Sequence, residues 1–495
     1  MLEAKNHFNC TEFDDFPIEE AYLNDIVVRD NKVRICYLLD GEPVEYSIEY
    51  DSISLEDPIL GSPLQVKCWS VALAVMYSLS LGCVLPQRVD FSKYSSFIDR
   101  EFLDFVQLLM TKCWSENRYQ LGKLEYQKPE IAIDEARLGQ AVNYPLFELT
   151  AERGTVDAII GSGSGKDSLL CSLILQNAAI DYDVLTCLYD LYGNLEEQKQ
   201  LFTQANQHLQ YRKQHYVYLQ EFYHHWLDKR VEKSQIIPRT QAYFPEKKRF
   251  RTSVSEAVIL PFIVAPIQAV HKIPLLLLGN EKSANAPNLI DSGEEVAHQW
   301  PKSLAANQKV QQQMARMFAN INQSSLISSI HDVRIIDLLF QLGDRLPYAT
   351  NSCNVQKPWC CRCEKCCYVF ASFCAYGDRE KTIAAFGNDL FEMEENLHIW
   401  AELLGLKGYI PWECVGMPEE TQLYFYRLYQ QGLRNKAIAL FEQEVLLPLQ
   451  MGGVRVDRHF QDIQNRFARV YDDYHTLPQS LWEKVSPILQ GNSHP

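Results

Sequence analysis

The 495-residue chain carries 63 acidic against 47 basic residues, a formal charge of −16, and close to half of it is apolar. Such a length supports about two to four domains with sizeable cores, while the acidic balance excludes a broad nucleic-acid-binding surface, because phosphate backbones require clustered Lys and Arg. An odd count of 15 cysteines, behind a first stretch (Met1 to Phe16) that holds Asp and Glu and no apolar run, excludes a disulfide scaffold and a secretory signal and predicts a cytoplasmic protein.

Residues 26–50 alternate apolar and polar side chains around Asp30-Asn31 and Asp40-Gly41, which predicts a small antiparallel meander. Helical spacing from Leu64 to about Gly122 completes an α+β amino-terminal domain, residues 1–150, with 123–140 as its linker. A protein partner would dock through this domain. After Gly154 strand, turn and helix alternate, the pattern of a parallel, helix-covered sheet, here residues 151–375. Within it Ser253 and Glu256 read as a capping box. The apolar run Val258 to Gly279 is too broken by Pro261, Pro266 and Pro274 for a membrane span and predicts a buried helix followed by the strand Leu275–Leu278. "SLISSI" (325–330) reads as a further strand, followed by a helix from His331. Beyond Phe370 the spacing is helical, giving a helical carboxy-terminal region, residues 376–495.

"IIGSGSGKDSLL", residues 159–170, runs from a buried strand through a glycine-rich turn into a helix. A Walker loop requires Gly-Lys-Ser/Thr, whereas Asp167 follows Lys166, and a dinucleotide loop requires a third glycine that is missing. What remains, Gly163, Ser164, Gly165, Lys166, Asp167 and Ser168, resembles the Ser-Gly-Gly-x-Asp-Ser loop of the PP-loop ATP pyrophosphatases, with its first two positions exchanged. The bland alternative is a tight turn. The resemblance implies a doubly wound α/β fold, cleavage of ATP between its α- and β-phosphates, pyrophosphate held by small residues at a helix amino terminus, and magnesium.

"TNSCNVQKPWCCRCEKCCYVF" places Cys353, Cys360, Cys363 and Cys366 within fourteen residues, enough to close a tetrahedral zinc site. Four Cys ligands leave no open position, so this zinc would be structural. An iron–sulfur cluster is the rival, and the register could slip to Cys361.

Two PP-loop families carry such a late cysteine knuckle. The QueC family of 7-cyano-7-deazaguanine synthases shares the Ser352-Cys353 step but is about half this length. The resemblance to the MurL family of ATP-dependent epimerases extends further. "GNEKSAN" (279–285), "GEEVAHQWPKS" (293–303), "SCN", "WCCRCEKCCYVF", "FGNDLF" and "WECVG" (412–416) follow its short motifs in order over about residues 155–420. Ala297 stands where that family has Asn, Pro301 where it has Ser, and Cys361 where it has the knuckle Gly.

That resemblance implies epimerisation of the terminal L-Glu of UDP-MurNAc-L-Ala-L-Glu: adenylation removes the charge of the carboxylate and lowers the barrier to loss of the neighbouring Cα proton. The substrate is then a nucleotide-linked small molecule with a free carboxylate. His298, Lys302 and Glu281 are the proton-transfer candidates, and Gly279, Asn280, Ser283 and Gln299 the substrate-binding ones. Trp412, Glu413 and Cys414 either close the pocket or pack a helix turn, and they are read here as packing. The rival enzyme is a QueC-like one that activates 7-carboxy-7-deazaguanine. The rival from another class is a catalytically silent nucleotide-binding scaffold.

Overall fold

Asp30 and Asp40 adopt left-handed backbone, with φ of +52° and +48°, and so turn the chain tightly between three antiparallel strands. These are β1 (Glu20–Arg29), β2 (Lys32–Leu39) and β3 (Glu42–Tyr50). The computed structural model describes residues 17–149, 154, 156–234, 243–244, 249–250 and 255–491. The meander does not form a sheet of its own. β3 pairs antiparallel with β8 (Gln214–Glu221), from Tyr46↔Glu221 to Tyr50↔Val217, and joins the meander to the later part of the chain.

The resulting ten-stranded sheet is mixed. On its far side β1 pairs in parallel with β4 (Arg88–Asp90), which pairs with β5 (Glu130–Ala132). The stretch read as a linker therefore contributes an edge strand. Beyond β8, β7 (Tyr182–Tyr189), β6 (Ala158–Gly161), β9 (Leu275–Leu278) and β10 (Asn322–Ser325) are all parallel. The full order is β10-β9-β6-β7-β8-β3-β2-β1-β4-β5. The molecule is thus α/β with a large mixed sheet.

Helices cover both faces, so β6 and β9 are apolar throughout rather than alternating. Ile159, Leu185, Leu276 and Leu278 point into one core, shared with α1 (Pro63–Tyr77) and α4 (Glu256–His271). Ala158, Ile160, Val184, Leu275 and Leu277 point into the other, shared with α3 (Lys166–Asn177), α6 (Asp332–Gly343) and α7 (Glu364–Tyr376). The segment Pro63–Val84 is long and apolar enough to cross a membrane, but 89% of that apolar window is packed inside the fold. The proline-broken run forms α4 and then β9. Ser253 of the predicted capping box lies outside the described residues, and the N-cap of α4 is Ser255.

The last parallel strand lies three residues earlier than the sequence predicts. β10 is Asn322–Ser325, and 326–331 form the turn into α6. Polar residues tolerate this buried edge position because they are satisfied. Asn307 Nδ2 donates to Gln323 Oε1 at 3.1 Å, Ser324 Oγ pairs with Thr476 Oγ1 at 2.7 Å, and Ser325 Oγ donates to the Asn280 carbonyl at 2.6 Å.

Candidate active site

β6 ends at Gly161, and the chain turns through Ser162-Gly163-Ser164-Gly165 into α3. The strand order reverses between β6 and β9, and the loop sits at the carboxyl end of β6, where open α/β sheets bind ligands. Ser164 occupies left-handed backbone at φ +52°, and Ser162 Oγ accepts its N–H at 3.2 Å. The segment before the cysteine cluster holds the loop from outside: Lys166 N–H donates to Ser352 Oγ at 3.2 Å, and Asn351 N–H donates to the Ser164 carbonyl at 2.7 Å. A Cβ on Gly165 would lie 3.1 Å from Ser352 Oγ, and one on Gly279 3.0 Å from Asp167 Cβ. Glycine at these two positions permits the close approach. Gly163 faces open space.

The loop borders a cavity of about 360 Å³, lined by Gly163, Gly165, Asp167 and Ser168, by Gly279 and Asn280 after β9, and by Tyr189, Phe202 and Leu219. Lys166 does not line it. Its side chain is fully buried and its ammonium donates to Asp167 Oδ1 at 2.5 Å and to Asp332 Oδ1. Burial alone would lower the Lys166 pKa, but these two carboxylates raise it above the usual lysine range. Asp167 is held below the ordinary carboxylate range despite its own burial, chiefly by Lys166 and Lys365. Cations that do face the cavity come from later segments: Lys302, Lys357 and Lys365. Burial brings Lys357 down to about 8.

His298 lines the cavity too, and its Nδ1 lies 2.5 Å from Glu116 Oε2, a residue of the amino-terminal helical stretch. Burial works against its charge, but Glu116 and the Cys414 sulfur outweigh that and raise its pKa to about 10. Lys302 is raised in the same way, against burial, by Cys414 and then Glu281. Both are therefore cationic at neutral pH and give protons rather than take them. Their shared neighbour is Cys414, which the sequence reading assigns to packing. Cys414 lines the cavity, and burial would raise its pKa, but Lys302, His298 and Lys365 hold it below the ordinary thiol value. Candidate ligand atoms of His298, Glu413 and Cys414 all lie within 4.8 Å of one another. The available signal was the motif order that includes "WECVG"; nothing local distinguished Cys414 from a core thiol.

The remaining candidates divide. Asn280 lines the cavity, whereas Glu281 is buried beside it, with both carboxylate oxygens lacking a hydrogen-bond partner and its pKa raised by burial. Ser283 Oγ pairs with His331 Nδ1 at 3.0 Å, away from the cavity. Gln299 Nε2 donates to the Val415 carbonyl at 2.9 Å and so secures the loop that carries Glu413 and Cys414. Glu413 Oε1 accepts from Asn354 Nδ2 at 2.8 Å. Trp412 stacks with Tyr409 and meets Tyr119 at an inclined angle.

Cys353, Cys360, Cys363 and Cys366 turn their sulfurs toward one another, all within 4.8 Å, a group that could hold a metal ion. Val355 and Gln356 N–H groups donate to Cys353 Sγ at 3.3 and 3.4 Å, and Cys366 N–H donates to Cys363 Sγ at 3.4 Å, the kind of support that thiolate ligands attract. Cys361 turns away, and its sulfur donates to the Phe386 carbonyl at 3.4 Å. Of the two adjacent cysteines, Cys360 is thus the one that joins the group.

Comparison with known proteins adds a family. Residues 254–325 match the family described as MurL N-terminal domain, and residues 347–447 match MurL C-terminal domain. A UDP-N-acetyl-alpha-D-muramoyl-L-alanyl-L-glutamate epimerase of Micromonospora sp. is 32% identical over 178 residues, 34% of this chain and 39% of that protein. Proteins of the same name from Salinispora tropica and Xanthomonas oryzae pv. oryzae are 31% and 23% identical over 166 and 244 residues. These alignments cover 36% and 51% of the relatives, so the chain spans about half their length or less. The chain is MurL-like in both matched segments, which contain His298, Lys302, Lys357, Lys365, Cys414 and the four-cysteine group. The glycine-rich loop and Glu116 lie outside them.

Proposed function

We propose that this MurL-like chain is a cytoplasmic, ATP-dependent epimerase that inverts the terminal L-Glu of UDP-MurNAc-L-Ala-L-Glu through an acyl-adenylate, in the synthesis of peptidoglycan precursors. One observation carries the reading: a PP-loop-like turn at the strand-order reversal shares one cavity with three lysines from the two MurL-like segments. Backbone N–H groups and hydroxyls from Gly163 to Ser168 would receive the pyrophosphate at the amino terminus of α3. Lys357 and Lys365 would offset its charge, while Lys166 orders the loop by fastening Asp167 to Asp332. Asp167, the loop carboxylate on the cavity wall, would hold the magnesium that accompanies ATP and shields its phosphates.

An amino-acid Cα–H beside a carboxylate resists removal because the carbanion would neighbour a negative charge. Adenylation removes that charge, and Lys302, fully ionised in the cavity, would attract the enolate oxygen that develops. The four-cysteine group would hold structural zinc: its donor set closes a tetrahedron and leaves no place for substrate. The test is incubation with ATP, magnesium and UDP-MurNAc-L-Ala-L-Glu in D2O, reading AMP and deuterium at the glutamate α-carbon. Both products together are expected. AMP without deuterium, or neither, would reject the epimerase.

A further inference from the structure

Inversion at a carbon is simplest with one group that takes the proton from one face and another that delivers a proton to the opposite face. Two such groups line the cavity on separate elements, Cys414 on the loop after Pro411 and Glu256 in the first turn of α4. We propose that Cys414 and Glu256 are the two proton-transfer residues of this site, one for each face of the substrate α-carbon. This inference rests on the epimerase reading above and assigns roles that reading leaves open.

The surroundings of the two groups are opposite in character. Cys414 has three cations beside it: His298, which Glu116 orients at 2.5 Å, then Lys302, and Lys365, whose ammonium donates to the Cys414 carbonyl. Glu413 is an anionic neighbour, and its Oε1 accepts the Cys414 N–H at 2.7 Å. This environment stabilises thiolate. Glu256 has no cation among the groups that set its charge, and only a hydrogen bond with Tyr189 favours its ionised form. It faces Glu221, Tyr189 and the Cys414 sulfur, and burial followed by the Glu221 charge drives its pKa far above the carboxylate range. It stands ready as an acid, partly open to the cavity. A cavity whose two titratable walls are pushed in opposite directions is how one site supplies a base and an acid at one pH.

The proton balance closes. The Cα–H bond breaks and an S–H bond forms on Cys414, the electron pair moves into the enolate of the acyl-adenylate, and Glu256 then gives its proton to the other face and becomes carboxylate. The pair ends as thiol and carboxylate, the arrangement needed for the reverse reaction. Net charge in the cavity is unchanged, so no counter-ion must move. The thiolate discourages ionisation of Glu256, and its protonation removes that repulsion at the step where Glu256 must become an anion.

The test compares wild type, Cys414→Ser, Cys414→Ala and Glu256→Gln in D2O with ATP, magnesium and either UDP-MurNAc-L-Ala-L-Glu or its D-Glu epimer. Pyrophosphate release reports activation and a folded loop; deuterium is read separately in each epimer. Wild type should release pyrophosphate, deuterate and invert. Each variant should still release pyrophosphate, lose inversion by about 100-fold or more, and exchange the Cα proton of one epimer only, the Cys414 and Glu256 variants differing in which. As a check without substitution, iodoacetamide mapped to Cys414 should abolish inversion and spare pyrophosphate release. Inversion at wild-type rate in any variant or in the alkylated enzyme, or exchange of the same epimer by both kinds of variant, would overturn the pair. Pyrophosphate release by wild type with no deuterium would reject epimerisation and the pair together. Absence of pyrophosphate release from wild type would go further and reject activation as well.

Discussion

Residues 347–447 hold two kinds of cysteine site that share a chemical group and nothing else. In the four-cysteine group the sulfurs face each other, with Cys353–Cys363 at 3.9 Å and Cys360–Cys366 at 3.8 Å, and backbone N–H groups donate to Cys353 and Cys363. Cys414 stands alone among cations and faces a cavity. The difference teaches that sulfurs turned toward one another suit a shared metal ion, whereas a thiol whose charge is balanced by protein cations can keep one side free for a cavity.

Breaking the closed group should have the largest effect. Cys363→Ser is expected to lose bound metal and about 4 kcal/mol or more of stability, whereas Cys414→Ser keeps its metal; metal content and thermal unfolding of the two variants measure this. Next comes the support of the open thiol. His298 is raised from an ordinary 6.5 to about 10, so its pairing contributes stability that is complete below pH 6.5 and disappears as pH rises through 10. Glu116→Gln should therefore cost about 3 kcal/mol at pH 6 and little above pH 10, seen as converging denaturation midpoints. Lys357 lines the cavity, its ammonium donating to the Asn351 carbonyl at 2.8 Å. Lys357→Ala should raise KM for ATP about 10-fold or more, the cost of one charge-assisted hydrogen bond, and the wild-type KM should rise as pH passes about 8, where this lysine loses its proton. The smallest effect concerns Cys361, which belongs to neither site and sits at φ +62°. Cys361→Gly relieves that conformation but removes a buried thiol and its hydrogen bond to the Phe386 carbonyl, so the two should offset to within about 1 kcal/mol, read as a nearly unchanged Tm with metal content unchanged.

Local patterns were legible in the sequence and distant pairings were not. The strand–loop–helix at 159–170 and the cysteine spacing are each defined within about fifteen residues, so short-range chemistry exposes them. The meander was readable from Asp30-Asn31 and Asp40-Gly41, but its pairing with β8 joins Tyr46 to Glu221, and no periodicity records which edges meet. The same holds at the site. Lys166 resembles a phosphate ligand until Asp332 is placed against it, and His298 resembles a base until Glu116 makes it a cation. Cys414 was passed over because a thiol between Glu and Val looks like core until three cations are brought to it. β10 was misplaced because polar "NQSS" does not read as a buried strand, and its satisfying partners Asn307 and Thr476 are far away in sequence.

The β3–β8 junction also constrains how the chain is made. A ribosome releases the meander well before β8 exists, and β9 and β10 emerge last although they lie on the opposite side of β6. The first hairpins must wait with an open edge for a partner about 170 residues downstream, an arrangement of high contact order that slows folding and exposes a template for mispairing. Trimming the protein to its two MurL-like segments would leave β8 and its partner edge behind, so those segments cannot be excised with the sheet intact at the boundaries that family likeness draws.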